Sequence, residues 1–389
     1  MSVLPANASW PIYAEDEKLA VVDVLTSGRV NYWTGTEGRT FEDEFAQATN
    51  RQYGICLANG TLALELALRS LGIANGDEVI VTPYTFIASA SAIALQGATP
   101  VFADIDAASL NITADTISEK ITPKTKAIIV VHLLGLPCDM DPIIALAKKH
   151  GLYVIEDCAQ AHGAKYKGKP VGSFGDVAAF SFCQDKIMST GGEGGMLVTN
   201  SKALWEKAWS FKDHGKSYAA MFEQSHPPGF RWVHESIGTN WRMTEMQAAI
   251  GRIQLQKLER WVKQRRENAR VLSDSISSPL IQSLPEFLDD FYHSYYKYSL
   301  QIDLSKLSGT WSRNKIMEEI TASGHPCFSG ICPEIYREKA FDAYDIEPLP
   351  IASSVGQSTL QFLVDPTFSV EDMKSMAKVV NRVFAQALA

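Results

Sequence analysis

Lys186 stands within FSFCQDKIMSTGGEGG, residues 180–195, between an apolar run and a cluster of glycines that an ordinary helix would not tolerate. A lysine amine is a nucleophile only when uncharged. Aimed from a turn into a pocket it loses hydration, which favours the free amine that imine formation needs. The apolar run at 177–182 predicts a short buried strand, and MLVTN after the glycines predicts another. Gly191, Gly192, Gly194 and Gly195 allow left-handed backbone between them. Taken alone, a solvent-facing loop lysine is the ordinary reading, and Cys183, Gln184 and Asp185 beside it have no evident role.

Other reactive types recur upstream. The strand read at 153–156 ends in Glu156-Asp157, and a carboxylate at the carboxyl end of a buried parallel strand is costly unless a cation or donor meets it. Asp157 is therefore a candidate to hold a protonated pyridine nitrogen, the state in which a pyridoxal cofactor acts as an electron sink. Gln160, three residues on, is a candidate for the ring hydroxyl; a helix N-cap by Asp157 is the alternative. Further back, an apolar run at 55–58 passes through Asn59, Gly60 and Thr61 into a strongly helical stretch. The unpaired N–H groups at such a helix start accommodate a phosphate, with the Thr61 hydroxyl as an added donor. Simple capping by Asn59 or Thr61 competes with that reading. Phe86 falls at a strand-to-helix junction, where ligands collect in open α/β sheets; it either stacks on a planar ring or fills core.

Positioning these groups calls for a parallel sheet. Residues 15–27 space apolar side chains for a helix stopped by Gly28, and a second helix is expected at 40–49. Strands are read at 78–81, 100–104, 127–131 and 153–156, with helices between them, one beginning near Thr85. Strand, helix, strand at this spacing argues for parallel pairing through right-handed crossovers. From about Thr244 a long helix runs through IGRIQLQKLERWVKQRRENARVLSDSI with one buried face, leaving Arg265 and Arg266 on the solvated side. YHSYYKYSLQIDL then alternates like a strand of an antiparallel sheet. Helices at 313–323 and 370–386 complete a smaller α+β unit.

Composition narrows the class. A chain of 389 residues can bury a large core and suggests two domains, or one large domain with an appendage. Its net charge of -8 argues against nucleic acid as the main partner, and no apolar run reaches membrane-spanning length. The start, MSVLPANASWPIYAEDEK, lacks the basic and apolar stretches of a secretory signal, so a cytoplasmic location is expected. Cys56, Cys138, Cys158, Cys183, Cys327 and Cys332 form no CxxC pair, so neither a disulfide framework nor a metal site is expected. A nicotinamide enzyme would call for an N-terminal GxGxxG after the first strand, which is missing.

In order and spacing, the NGT turn, PYTFIAS, EDCAQAHGA and the FSF segment with its lysine before glycines resemble the DegT/StrS family of pyridoxal-phosphate sugar aminotransferases. The resemblance covers most of the chain. It implies fold type I, that of aspartate aminotransferase: an α/β large domain with a mostly parallel central sheet flanked by helices (1–250), and a smaller C-terminal α+β domain (251–389) joined by a long helix. It also implies that pyridoxal 5′-phosphate is the cofactor. Gly60, Thr61 and Ser181 would bind its phosphate, Phe86 would stack on the ring, Asp157 would pair with the ring nitrogen and Gln160 would contact the ring oxygen. Lys186 would carry the internal Schiff base. GTNWRMTEMQAAI, residues 238–250, matches a GxNxRM element, so Asn240 would reach the phosphate held by the partner subunit of a homodimer; capping by Asn240 and a surface position for Arg242 is the local alternative. The implied reaction moves an amino group from glutamate to a nucleotide-linked keto sugar, with a 4-keto-6-deoxyhexose expected before its 3-keto isomer. Relatives with histidine at the lysine position dehydrate the sugar, and Lys186 argues against that. Other pyridoxal chemistry and a non-catalytic regulator are the remaining alternatives. The chain departs from the family where relatives carry a HYxPLH-like element: here GHPCFSGICPEIYREKAF stands, retaining the types of His325 and Tyr336.

Overall fold

The computed structural model describes residues 9–284 and 288–389. The first eight residues, part of the stretch in which no secretory signal is read, lie outside the described residues.

Two sheets organise the chain. The larger has β1 (Tyr53–Leu57), β2 (Glu78–Val81), β3 (Thr99–Phe102), β4 (Thr125–Val131) and β5 (Tyr153–Asp157). After a ribbon of β6 (Lys165–Tyr166) and β7 (Lys169–Pro170) come β8 (Val177–Ser181) and β9 (Gly195–Thr199), and the order across the sheet is β1-β9-β8-β5-β4-β2-β3. The contacts from β3 through to β8 are parallel; β9 runs antiparallel to both neighbours. Strand β4 shows why: residues 127–131, AIIVV, are apolar on both faces and buried throughout, as expected of a strand covered by helices on each side. Because β9 is reversed, β8 and β9 form a hairpin, and its loop carries Lys186.

The helix expected near Thr85 begins later, at Ala88–Leu95, because Pro83 and the residues after it form a loop that brings Phe86 out of the sheet. The helix expected at 40–49 spans Glu37–Ala48. Helix Glu245–Ser275 starts at Thr244, whose hydroxyl accepts from the Gln247 N–H while the Gln247 side chain accepts from the Thr244 N–H, a reciprocal cap. It leads into the second unit, where β10 (Ile281–Ser283), β12 (Tyr298–Ile302), β13 (Cys327–Phe328) and β14 (Thr359–Phe362) form an antiparallel sheet ordered β10-β12-β14-β13. Strand β11 (Phe291–Tyr292) leaves this unit to pair with β6. Leu300, Leu360, Phe362 and the helix Val370–Ala387 close a separate apolar core.

One expectation is corrected here. Arg265 is not on a solvated face: it is 1% exposed, and Nη1 donates to the Tyr295 and Tyr296 carbonyls at 3.4 and 3.2 Å. Its guanidinium lies 4.9 Å from the ring centre of Trp10, whose N-terminal segment crosses the helix. Burial holds the Arg265 pKa down at about 10. Arg266 is half-buried and donates to the His293 carbonyl.

Candidate active site

A cavity of about 560 Å³ opens at the carboxyl ends of β5 and β8, the place where open α/β sheets collect ligands. Gly60, Thr61, Phe86, Asp157, Gln160, Ser181 and Lys186 all line it. Residues that lie up to 126 positions apart in the sequence, from 60 to 186, are thus brought to one space.

Strand alternation separates the two acids at the end of β5. Glu156 is wholly buried on the side away from the cavity, where N–H groups of Gly172, Phe174 and Gly175 donate to it at 2.7–2.8 Å and His132 Nε2 lies 3.1 Å away. Burial would raise its pKa, but His132, the Gly175 N–H and Arg51 outweigh that and hold it below the usual carboxylate range. Asp157 lines the cavity. Its Oδ2 accepts from Ser89 Oγ at 2.8 Å and its Oδ1 from the Ala159 N–H at 3.1 Å. Here burial wins over Ala159, Ser89 and Lys186, and the carboxyl is held above its ordinary range. An acid in that condition gains most from a cation placed against it. The neighbouring Gln160 is buried with Oε1 accepting from the Leu134 N–H at 2.8 Å, which leaves its amide N–H donors uncommitted to that bond.

The helix Gly60–Ser70 begins at the cavity. Asn59 caps it, its Oδ1 accepting from the Leu62 N–H at 3.0 Å, so the capping expected of Asn59 is real. The first helical bond runs from Ala63 N to Asn59 O, which leaves the Gly60 and Thr61 N–H groups without intrahelical partners. Glycine is needed at 60 for contact, not conformation: a Cβ there would stand 2.5 Å from Ser181 Cβ and 2.9 Å from its Oγ. Ser181 follows Ala179, the register partner of Asp157, by two residues and so shares its face. Phe86 is 60% exposed, a flat apolar side chain left uncovered over the cavity.

The Lys186 loop is pinned at several points. Phe182 N donates to Gly194 O, Thr190 N to Phe182 O and Lys186 N to Cys183 O. Gly191 and Gly192 take φ of +86° and +113° as expected, whereas Gly194 and Gly195 do not take positive φ and are glycine for close contact, since a Cβ would collide with Thr190 Oγ1 at the first and with Asn59 O at the second. Trp10 Nε1 donates to the Lys186 carbonyl at 2.7 Å and packs edge-on against Trp261. The lysine side chain is 15% exposed, and its Nζ lies 3.7 Å from Asp185 Oδ1 and 4.9 Å from the centre of the Tyr296 ring. Asp185, which had no evident role, accepts from the Tyr296 hydroxyl. Burial would raise the Asp185 pKa, but Lys186 and Tyr296 pull it below its ordinary value.

Sequence reasoning missed the wall supplied by the smaller unit: Tyr296, Lys297, Gly330, Ile331 and Gln361. The atypical segment therefore reaches the cavity through Gly330 and Ile331. Its His325 meets Ser375 on the surface, and its Tyr336 is buried against Glu334 and the Leu349 N–H, so neither lines this space. Asn240 does not line it either. It is exposed, with Oδ1 accepting from the Arg242 N–H at 3.4 Å, while Arg242 is no free surface charge: Nη1 donates to buried Asp213 at 2.8 Å.

Residues 11–382 match the model of the DegT/DnrJ/EryC1/StrS aminotransferase family. The chain belongs to this family. It is 38% identical to the GDP-perosamine synthase of Escherichia coli O157:H7, over 91% of this chain and 92% of that one. To the dTDP-3-amino-3,6-dideoxy-alpha-D-galactopyranose transaminase of Aneurinibacillus thermoaerophilus it is 37% identical, over 95% and 96%. A crystal structure of an aminotransferase from Psychrobacter cryohalolentis superposes with a TM-score of 0.94 at 52% identity, covering 98% of this chain and 99% of that one. Fold type I and pyridoxal 5′-phosphate dependence follow, and the protein is a sugar aminotransferase. Among the described residues no helix is long and apolar enough to cross a membrane.

Proposed function

We propose that this cavity holds pyridoxal 5′-phosphate and moves an amino group from glutamate to a nucleotide-linked keto-deoxysugar, for amino-sugar and surface polysaccharide synthesis. The observation that carries the assignment is the meeting of Lys186, a buried strand-end acid and a free helix start in one cavity. Gly60 and Thr61 N–H groups and the Ser181 hydroxyl take the phosphate, whose negative charge suits a helix N-terminus. Phe86 covers the ring, and Gln160 donates to the ring oxygen. Asp157 ionises against the ring nitrogen and keeps a proton there. When bound, the cofactor supplies a carbonyl that links to amines and a ring that accepts the electron pair released at the donor Cα. Lys186 Nζ moves the proton between that Cα and the cofactor C4′, with Asp185 and the Tyr296 ring fixing its approach. The acceptor we expect is a 4-keto-6-deoxyhexose. The relatives named above differ in nucleotide, GDP in one and dTDP in the other, so the acceptor panel spans both. The test is to supply glutamate and a panel of nucleotide-linked keto sugars and identify the product by NMR. A 4-amino sugar with matching 2-oxoglutarate is the expected result; a 3-amino product would move the acceptor to its isomer, and no amino sugar from any of them would refute the reading.

A homodimer with shared sites belongs to the same proposal. Phe230, Trp232 and Ile237 on the segment leading to Asn240 are 80%, 88% and 91% exposed, an apolar surface of the kind that marks an interface. The next residue, Trp241, accepts from the Ala58 N–H at 3.0 Å beside the phosphate turn, so the segment is anchored at the rim of a site it does not line. Asn240 would then act on the phosphate of the second subunit. Mixing Lys186→Ala subunits with Asn240→Ala subunits should restore turnover, because one site of each mixed dimer regains both residues. Absence of any gain on mixing would show that Asn240 does not act across subunits.

A further inference from the structure

We propose that Lys297 and Gln361 form a carboxylate-binding pair on the wall of the cavity contributed by the smaller unit. The proposal rests on the aminotransferase reading for the identity of the substrates, and it assigns them an anchoring point. Both residues line the cavity. Ser299 on β12 is the register partner of Gln361 on β14. Lys297 stands immediately before β12 and reaches the same cavity wall as Gln361, while Tyr298 and Phe362 turn to the apolar core.

Among the described residues, neither the Gln361 Nε2 nor the Lys297 ammonium has a hydrogen-bond or ion-pair partner. Gln361 is 1% exposed, and its Nε2 has no hydrogen-bond partner among the described residues. A buried amide N–H left unpaired is a cost that folding alone does not explain. Gly330, at φ +102°, keeps the space beside it open, since a Cβ there would stand 3.1 Å from that nitrogen. Lys297 is half-buried between aromatic rings, its Nζ 5.3 Å from the centre of Tyr296 and 5.4 Å from that of Phe328. Burial, aided by the neighbouring Lys186, lowers its pKa against the opposing pull of Asp185. Asp185, the carboxylate acting on Lys297, is already committed to the Tyr296 hydroxyl and lies beside Lys186. The wall thus offers one ammonium and one amide N–H to an anion that the protein does not supply.

That pattern fits a carboxylate. Two donors suit its two oxygens, and one cation matches its single charge, whereas the backbone N–H groups at Gly60 and Thr61 already form the phosphate-type site. Two substrates could bring such a group: the amino-acid donor, which always carries one, and a sugar acceptor bearing a carboxyl. Transamination separates them, because each half-reaction is measurable by itself in the holoenzyme. Lys297→Met should raise KM roughly ten- to hundredfold, the range of a lost charge-assisted hydrogen bond, in one half-reaction and leave the other unchanged. A rise confined to the donor half assigns the site to the amino acid, and a rise confined to the acceptor half assigns it to an acidic sugar. Lys297→Arg should restore most of the loss, which a variant that merely failed to fold would not show. Gln361→Glu should weaken the same half-reaction by placing a like charge against the carboxylate. Calorimetric titration with succinate gives a readout without turnover: binding should weaken in Lys297→Met and recover in Lys297→Arg. Equal KM rises in both halves, or unchanged constants with unchanged succinate binding, would overturn the pair. A protein that binds succinate through Lys297 but transaminates none of the keto-deoxysugars would support the pair and refute the proposed acceptor instead.

Discussion

Lys186→Ala is expected to abolish the absorbance of the lysine–cofactor imine and to lower turnover by roughly a hundredfold to ten-thousandfold or more, the range for removal of a proton-transferring side chain. The fold should survive. The side chain is 15% exposed and its ammonium has an ion-pair neighbour, Asp185, at 3.7 Å, so truncation leaves no large apolar cavity. Asp185 also keeps its bond from the Tyr296 hydroxyl. The loop is held by backbone bonds and by Trp10 on the Lys186 carbonyl, neither of which involves the amine. Circular dichroism and thermal unfolding should therefore match those of the wild type. Near wild-type amino-sugar formation by the alanine variant would remove Lys186 from the chemistry.

Asp157→Asn should give the second large loss, about a hundredfold to a thousandfold in kcat, as when one preorganised electrostatic partner is removed from a buried site. The substitution keeps the shape and an oxygen for Ser89 Oγ–H, which now donates to Oδ2 at 2.8 Å. What it removes is the charge. Burial holds the Asp157 carboxyl above its ordinary range, and a protonated ring nitrogen against it would pull it down and ionise it. The sign for stability follows. A carboxyl with a raised folded pKa favours the fold while protonated and disfavours it as pH rises through that pKa, so the apoenzyme should lose stability over this window and the holoenzyme should not. In Asp157→Asn the apoenzyme should show no such loss. Thermal unfolding of both proteins with and without cofactor, across the weakly acidic range, checks this; identical pH profiles for wild-type and variant apoenzyme would contradict it.

The placement of these residues at the sheet was legible because each carries a local signature. Asp157 ends an apolar strand, Gly60 and Thr61 open a helix, and Lys186 precedes glycines whose positive φ the turn requires. The smaller unit's wall was not legible. Period-two alternation in YHSYYKYSLQIDL points to a strand, which the structure places at Tyr298–Ile302, but only tertiary packing brings Tyr296 and Lys297, just before it, to the cavity. The same limit explains Arg265. Helical periodicity put it on the polar side of its helix, and nothing local announced that Trp10, 255 residues earlier in the numbering, would lie over it. Asp185 likewise acquires its partner from Tyr296, 111 residues later.

The bond from Trp10 to the Lys186 carbonyl has a bearing on biosynthesis. One of the first described residues of the chain grips the Lys186 loop while resting on Trp261 and Arg265 of a helix that leaves the ribosome much later. A nascent chain can therefore complete the sheet from β1 to β9 and still lack the support for its lysine. The Lys186 loop gains that support only once the helix Glu245–Ser275 has been translated.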